Sequence, residues 1–185
     1  IDSSYAQVGK YLGVPTHAYM GATDSKRLDM QAGIESGVTA MIGALSGINM
    51  ISGSGMLDFL LCHSAEKLVI DAEGVAMAQR MLEGMKIHTE TLATGFYEGV
   101  NFKGGDFLKQ RITMQLFQKE QHMPSAIIDR DSIRGWKASG SLDTFERAKI
   151  RVKQLLASYR RPELDPNQVS RLHAFVLNLS KQAGV

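Results

Sequence analysis

Residues 4–12 (SYAQVGKYL) carry apolar side chains at helical spacing and stop at Gly13, where glycine closes a helix at little steric cost. Val14-Pro15-Thr16-His17-Ala18-Tyr19-Met20 is then rich in β-formers and predicts a strand, with Pro15 near its start, where a ladder donor can be spared. Gly21 to Asp29 is polar and predicts a loop, with Asp29 placed to cap the helix that follows. Met30 to Leu45 repeats apolar residues at Ile34, Val38, Met41, Ile42 and Leu45, and Gly47 ends the run. Ile48-Asn49-Met50-Ile51-Ser52 predicts a second strand, which runs into Gly53-Ser54-Gly55. Strand, loop, helix and strand in this order make a βαβ unit, so the two strands are expected to be parallel with a right-handed crossover.

Beyond Gly55 the pattern becomes helical. Met56 to Cys62 predicts a short helix. Ser64-Ala65-Glu66-Lys67 is an imperfect capping box, because lysine stands where an acid or glutamine belongs. The run to Leu82 keeps Leu68, Val69, Ala72, Val75, Ala76 and Leu82 largely on one side. Further helices are expected over 89–97, 106–119, 131–137, 143–160 and 166–181, with Pro166 in the first turn of the last. This divides the chain into βα units over 1–62 and a helical region over 63–185. Two strands among so many helices do not complete a sheet. The chain also opens inside a helix, without an initiator methionine, and closes on KQAGV, so it reads as the carboxy-terminal part of a longer α/β protein.

Composition narrows the classes. The chain has 185 residues, 44% of them hydrophobic and 22% charged, which is ordinary for a soluble globular domain. With 21 basic and 19 acidic side chains the net charge is +2, so no nucleic acid or other polyanion is implied as a partner. The single Cys62 excludes an internal disulfide and a cysteine-based zinc site, and fits a reducing, cytoplasmic setting. No apolar run approaches the ~18 residues of a membrane span. Histidines 17, 63, 88, 122 and 173 show no metal-ligand spacing, so no metal site is expected. The ten methionines lie mostly at helical core spacing, which makes packing their expected role.

If the strands belong to a parallel α/β barrel, the loops at their carboxyl ends form the active face. Alternation puts His17 and Tyr19 on one side of the first strand and Thr16, Ala18 and Met20 on the other. The apolar side suits packing against helices, which leaves His17 and Tyr19 at the barrel mouth; a satisfied interior histidine and tyrosine is the alternative. Gly53 and Gly55 flank Ser54 and permit close backbone approach to a ligand, though a tight turn explains the same pattern. Asp24 and Lys26 suit either a charged ligand or an exposed pair. Gln31 with Glu35, and Asp71 with Glu73, fit solvated or structural roles better than acid–base catalysis. Arg111, Lys119 and His122 make a mild basic face.

The block GATDSKRLDMQAGIESGVTAMIGALSGINMISGSGML, residues 21–57, strongly resembles the trimethylamine:corrinoid methyltransferase (MttB) superfamily. The signature T-D-x-K-x-x-D-x-Q-A-G-x-E is matched by Thr23, Asp24, Lys26, Asp29, Gln31, Ala32, Gly33 and Glu35. Gly47, Asn49, Ile51, Gly55, Met56 and Leu57 match its continuation, and EKLVIDAE at 66–73 looks like the family's helix after the last strand. The likeness extends loosely through GWKASGSLDTFERA, residues 135–148.

The resemblance implies a (β/α)8 TIM barrel, of which this chain would be the last two parallel strands followed by a mostly helical extension. An open sheet edge and an uncovered apolar face would then need cover. The missing amino-terminal part of the barrel, in the same or another chain, or further copies in a homo-oligomer would supply it. The implied reaction moves a methyl group from a methylated or quaternary amine, such as a betaine, to the Co(I) corrinoid of a partner protein, with no cofactor held tightly by this chain. A quaternary ammonium already carries the charge that lets a neutral amine leave, so holding nitrogen, methyl and acceptor in line is the main task. Aromatic faces and carboxylates bind such cations. On this view Tyr19 is a cage wall, Asp24 a charge partner, His17 a group that meets a substrate carboxylate, and Gly53 with Ser54 leaves room for substrate or corrin ring. Founding members carry pyrrolysine shortly after the last strand, near Leu60 or Leu61, and the standard residue here points to a quaternary amine, with Leu61 at the substrate. The family's histidine-rich stretch has no counterpart in Asn101-Phe102-Lys103-Gly104-Gly105-Asp106-Phe107. The catalytic residues themselves are not identified. Two other functions compete: a non-catalytic helical scaffold or binding module, and a different barrel enzyme holding a phosphate at Gly53 and Gly55 beside a helix amino terminus.

Overall fold

The computed structural model describes residues 1–87, 100 and 105–184, in two units, residues 1–153 and 154–185. The first unit opens with α1 (Asp2–Leu12), closed by Gly13 in the left-handed conformation at φ 69°. β1 (His17–Ala18) follows, then α2 (Met30–Ser46) and β2 (Met50–Ile51). β1 and β2 pair in parallel, His17 opposite Met50 and Ala18 opposite Ile51, as the βαβ pattern requires. The strands are shorter than the sequence suggests, but hydrogen bonds continue the pairing past their ends. The amides of Met50, Ser52 and Gly53 donate to the carbonyls of Thr16, Ala18 and Met20. Asn49 starts the register, its side-chain oxygen accepting from the Thr16 amide at 2.9 Å.

A small core lies between this strand pair and the first two helices, built from Ala6, Ala18, Met20 and Ile48 with Ile51 at its edge. Small residues let the layers approach. A Cβ on Gly9 would stand 2.2 Å from Thr16 Cγ2, and one on Gly43 would stand 2.7 Å from Ile51 Cδ1. Lys10 crosses from α1 to donate to the Ser46 carbonyl at 2.6 Å, placing a cation at the negative end of α2. Asp29 caps α2 as expected, accepting from the Ala32 amide, and Gly47 closes it in the left-handed region.

The chain departs from expectation after Gly55. Residues 56–62 do not form a helix. Met56–Leu57 and Cys62–His63 are strands β3 and β4 of an antiparallel hairpin joined by a tight turn at Asp58–Leu60. A short apolar run cannot by itself tell helix from strand. Here Gly55 (φ 81°) turns the backbone, and the Ser64 amide closes the hairpin on the Gly55 carbonyl. α3 (Ala65–Leu82) then begins where the capping box predicts, with Ser64 accepting from the Lys67 amide.

Lys67, the residue that spoils that box, turns inward and is 2% exposed. Its ammonium contacts Asp71 at 2.5 Å, Ser36 Oγ at 2.7 Å and the Gly21 carbonyl at 3.3 Å. Asp71 in turn accepts from the Gly55 amide at 2.7 Å. This buried ion pair therefore joins α3 and α2 to the chain leaving each parallel strand. Glu73 is also structural, accepting from the Ser125 amide.

The expected helix over 106–119 is split by extended Gln110 into a single turn at Phe107–Lys109 and α4 (Arg111–Glu120). The helix expected over 89–97 lies outside the described residues, as do Asn101 to Gly104. α5 (Ile133–Ala138) and α6 (Thr144–Ser158) stand near their expected places. Arg147 on α6 donates to the Ala126 carbonyl and pairs with Asp129, while Arg80 on α3 donates to the Glu120 carbonyl. The second unit contains α7 (Pro166–Ala183), capped by Asp165 with proline in its first turn. Its Leu172, Phe175, Val176, Leu177 and Leu179 are exposed.

The methionines depart from their expected role. Met20 is buried, but Met30, Met50, Met85, Met114 and Met123 are exposed, as is the α2 row of Ile34, Val38, Ile42 and Leu45. Among the described residues no helix is long and apolar enough to cross a membrane.

Candidate functional site

At the carboxyl end of β1 the side-chain alternation holds: Thr16, Ala18 and Met20 are buried, while His17 and Tyr19 point outward. The two outward rings meet edge to face at 4.9 Å between centroids. His17 Nε2 and Ser52 Oγ share a 2.6 Å hydrogen bond, which ties the ends of the two parallel strands together on that face.

Next comes the loop from Gly21 to Asp29, and its residues explain most of the signature block. Gly21 donates its amide to Thr39 Oγ1, whose hydroxyl turns back onto the Glu35 carbonyl. The Thr23 hydroxyl donates to Glu35 Oε2 at 2.5 Å, and the Asp24 amide donates to the same oxygen at 2.8 Å. Gln31, one turn before Glu35 on α2, donates to its other oxygen at 2.9 Å. These bonds, the Thr23 hydroxyl foremost, hold the Glu35 carboxyl below its ordinary range, because each donor favours the ionised form. Asp29 is lowered in the same way, chiefly by the Ala32 amide it caps, with help from the Ser25 hydroxyl. The loop is thus a polar lattice anchored on α2.

On its far side the loop meets the hairpin turn. Asp58 donates its amide to the Ser25 carbonyl, and its carboxylate pairs with Lys26 at 3.1 Å. The Lys26 ammonium also donates to the Asp24 carbonyl at 2.9 Å and lies 4.7 Å from the centre of the Phe59 ring. Asp58, Phe59 and Leu60 all have left-handed backbone, with φ of 48°, 54° and 75°. Three such residues in succession, none of them glycine, are an unusual construction.

Between loop and turn lies an open recess of about 510 Å³, lined by Tyr19, Ala22, Thr23, Asp24, Glu35, Thr39, Phe59 and Leu60. It combines two aromatic side chains with two acidic ones, which suits an organic cation. The structure therefore brings Tyr19 and Asp24 together and adds Glu35 and Phe59, neither of which stood out as a ligand group in the sequence. Glu35 closes the same signature that Thr23 opens, but spacing alone does not show that its carboxylate receives the threonine hydroxyl twelve residues away. No composition or spacing signal marks Phe59.

The other candidates fall elsewhere. His17 touches Tyr19 and does not line the recess. Gly53 faces its own chain: a Cβ there would stand 2.4 Å from the Met20 carbonyl oxygen and 2.8 Å from the Ala22 amide. Ser54 lies behind Gly21, lining a separate cavity of about 190 Å³ between α2 and α3. Leu61 is 82% exposed and does not line the recess. The phosphate arrangement is contradicted at Gly55. A hairpin, not a helix amino terminus, follows that residue, and its amide already binds the Asp71 carboxylate. Among the described residues no group of three or more His, Cys, Asp or Glu side chains converges as a metal site.

Comparison with known proteins adds a second line. A family model described as trimethylamine methyltransferase (MTTB) matches residues 1–184. A glycine betaine methyltransferase of Desulfitobacterium hafniense (strain Y51) is 34% identical over 183 residues, covering 98% of this chain and 38% of that protein. The trimethylamine methyltransferase MttB2 of Methanosarcina mazei is 32% identical over 178 residues, covering 95% of this chain and 35% of its own length. A trimethylamine methyltransferase of Desulfitobacterium hafniense (strain DSM 10664 / DCB-2) is 27% identical over 185 residues, covering the whole chain and 37% of its own length. The chain spans just over a third of the curated relatives it matches.

Proposed function

The chain belongs to the trimethylamine methyltransferase (MTTB) family, and from that premise we propose that it is part of an enzyme that removes a methyl group from a quaternary amine such as a betaine. The methyl acceptor is the corrinoid of a cognate partner protein, which supplies the reduced cobalt nucleophile when it docks. The parallel pair β1 and β2 serves as the closing strands of a TIM barrel whose other strands come from the rest of the protein, and the recess opens at the carboxyl end of those strands. One observation carries the reading: Tyr19, Phe59, Asp24 and Glu35 surround a single recess next to the end of β1.

Each lining group has a task. The Glu35 carboxylate stays ionised because its donors favour the charged form, so it presents negative charge near the substrate nitrogen. Tyr19, steadied edge-on by His17, offers a ring face to the methyl groups. His17, outside the recess and bonded to Ser52, meets a substrate carboxylate that extends toward the second strand in this reading. Gly53 acts behind the site by letting the two strand ends approach, Ser54 backs Gly21, and Leu61 follows the hairpin turn outside the recess. No proton donor is required, because the departing amine leaves neutral. The charge on nitrogen fades as the methyl moves, so a carboxylate that gripped it too tightly would favour the ground state over the transition state. Orientation is the larger contribution.

The test uses the full-length protein with a reduced corrinoid protein and glycine betaine, following methylation of the corrinoid by its absorbance. Turnover is expected, with Tyr19→Ala and Glu35→Gln each lowering kcat/KM by tenfold or more. Corrinoid-protein binding without turnover on any methylated amine would overturn the reading in favour of a non-catalytic scaffold.

A further inference from the structure

Phe59 is not placed by ordinary turn chemistry. Its backbone is left-handed, flanked by left-handed Asp58 and Leu60, a conformation that side chains with a Cβ avoid. Such backbone persists only where the surroundings over-determine it, and it clusters at ligand-binding positions. The surroundings here are specific. Asp58 is held by the Ser25 carbonyl through its amide and by Lys26 through its carboxylate. The result is a large ring, 61% exposed, turned to line an anionic recess instead of packing into a core.

The ring face already carries a cation. Lys26 places its ammonium 4.7 Å from the ring centre while keeping contacts of 3.1 Å to Asp58 and 2.9 Å to the Asp24 carbonyl. The Lys26 side chain is 63% exposed, so the ammonium can swing off the ring face into solvent without being stranded. The geometry points to Phe59 as a specificity-determining wall of the recess and to Lys26 as its resident cation, which yields the ring face to a methylated ammonium. A cation regains on the ring what Lys26 gives up there. A neutral molecule of the same shape does not, and so it meets a ring that is already taken. Selection by charge at equal shape follows. This rests on the proposed amine-binding role of the recess and adds the device that sets its selectivity.

Choline and its neutral isostere 3,3-dimethylbutan-1-ol separate charge from shape, and their binding is measured on the full-length protein by titration calorimetry. The native protein is expected to favour choline by tenfold or more. Phe59→Leu should bring that ratio below threefold, and Phe59→Trp should keep it. Lys26→Met should tighten choline about threefold by removing the competing cation, and tighten the alcohol by a similar factor because the ring face is then open to it as well. An unchanged ratio in Phe59→Leu, or weaker choline binding in Lys26→Met, overturns the inference. Phe59 is exposed, so neither replacement threatens the fold, and the Lys26 variant probes the same ring face independently. If the binding ratios behave as expected but no methyl transfer occurs, the enzyme reading fails and the cation wall stands.

Discussion

Two segments face each other across the recess and are held in opposite ways. The loop 21–29 is fastened to α2 by hydrogen bonds from Gly21 to Thr39 and from Thr23 and Asp24 to Glu35, and by Asp29, which caps the Ala32 amide. Its backbone needs positive φ only at Gly21, where glycine accepts it freely. The hairpin turn 58–60 has left-handed backbone at three non-glycine residues and is tethered through Lys26 and the Ser25 carbonyl. One wall is built by saturating polar groups, and the other by tolerating strain. A saturated wall keeps its shape whatever binds. A strained wall with few tethers is where adjustment and selectivity belong. Both hang from the same buried pair, since Lys67 holds Gly21 and Asp71 holds Gly55.

That shared anchor is where the comparison breaks most completely. Lys67→Met leaves Asp71 as an uncompensated charge, 10% exposed, and removes the donor to Gly21 and Ser36. A loss of about 3–5 kcal/mol is expected in urea unfolding. The double variant Lys67→Met with Asp71→Leu should recover much of it, because removing both charges removes the desolvation problem. If the single variant costs less than ~1 kcal/mol, the two walls do not share a keystone.

Gly53→Ala comes next. The added Cβ meets backbone at both nearest contacts, the Met20 carbonyl and the Ala22 amide, and backbone cannot swing aside as a side chain can. About 1–3 kcal/mol of stability should be lost. The loop wall should suffer first, because Ala22 belongs to it, and amide exchange at Thr23 and Asp24 should rise more than at residues 58–60.

The sequence made the first wall readable and hid the second. Alternation from Thr16 to Met20 marks inside and outside because one face of the strand is buried, and that face packs as expected. Asp29 and Gly47 announce the ends of α2 because capping chemistry is local. The hairpin has no such signal. Met56 to Cys62 is an apolar run without a period, and left-handed conformations at Phe59 and Leu60 come from tertiary contacts that spacing does not record. Lys67 looked like a flaw in a capping box, and only its burial beside Asp71 and Ser36 reveals why lysine stands there.

Acid should act on the walls unequally. Glu35 and Asp29 have native values below their ordinary 4.5 and 3.8, so their contribution is complete above those values. It is lost as the pH falls through the lower native values, when the carboxylates are protonated in the folded state and the loop's donors lose an ionised acceptor. Amide shifts of Asp24 and Ala32 should hold steady through pH 4.5 and move only below it. Salt should do the reverse. At about 1 M the screening length shrinks to about 3 Å, which weakens the exposed Lys26–Asp58 pair while leaving the loop lattice in place.

The smallest change tests the strain itself. Leu60 has φ 75° and is half-buried, so replacing it with glycine has opposing effects. Relief of the left-handed penalty favours the variant by about 1–2 kcal/mol. The greater freedom of glycine in the unfolded chain disfavours it by about 0.5–1 kcal/mol, and lost apolar contact by about another 1 kcal/mol. The sum lies within about 1 kcal/mol of zero, whereas the same replacement at Leu57, buried and extended just before the turn, has no relief to offset its loss and should cost several times more. Near-neutral stability at residue 60 would confirm that the turn carries strain. Function should not be neutral there. Glycine frees the backbone that aims Phe59, so the preference for choline over its neutral isostere should fall even though stability hardly changes. A variant that keeps both stability and selectivity would mean the left-handed turn is incidental to the recess, and the contrast between the two walls would reduce to a difference in hydrogen bonding.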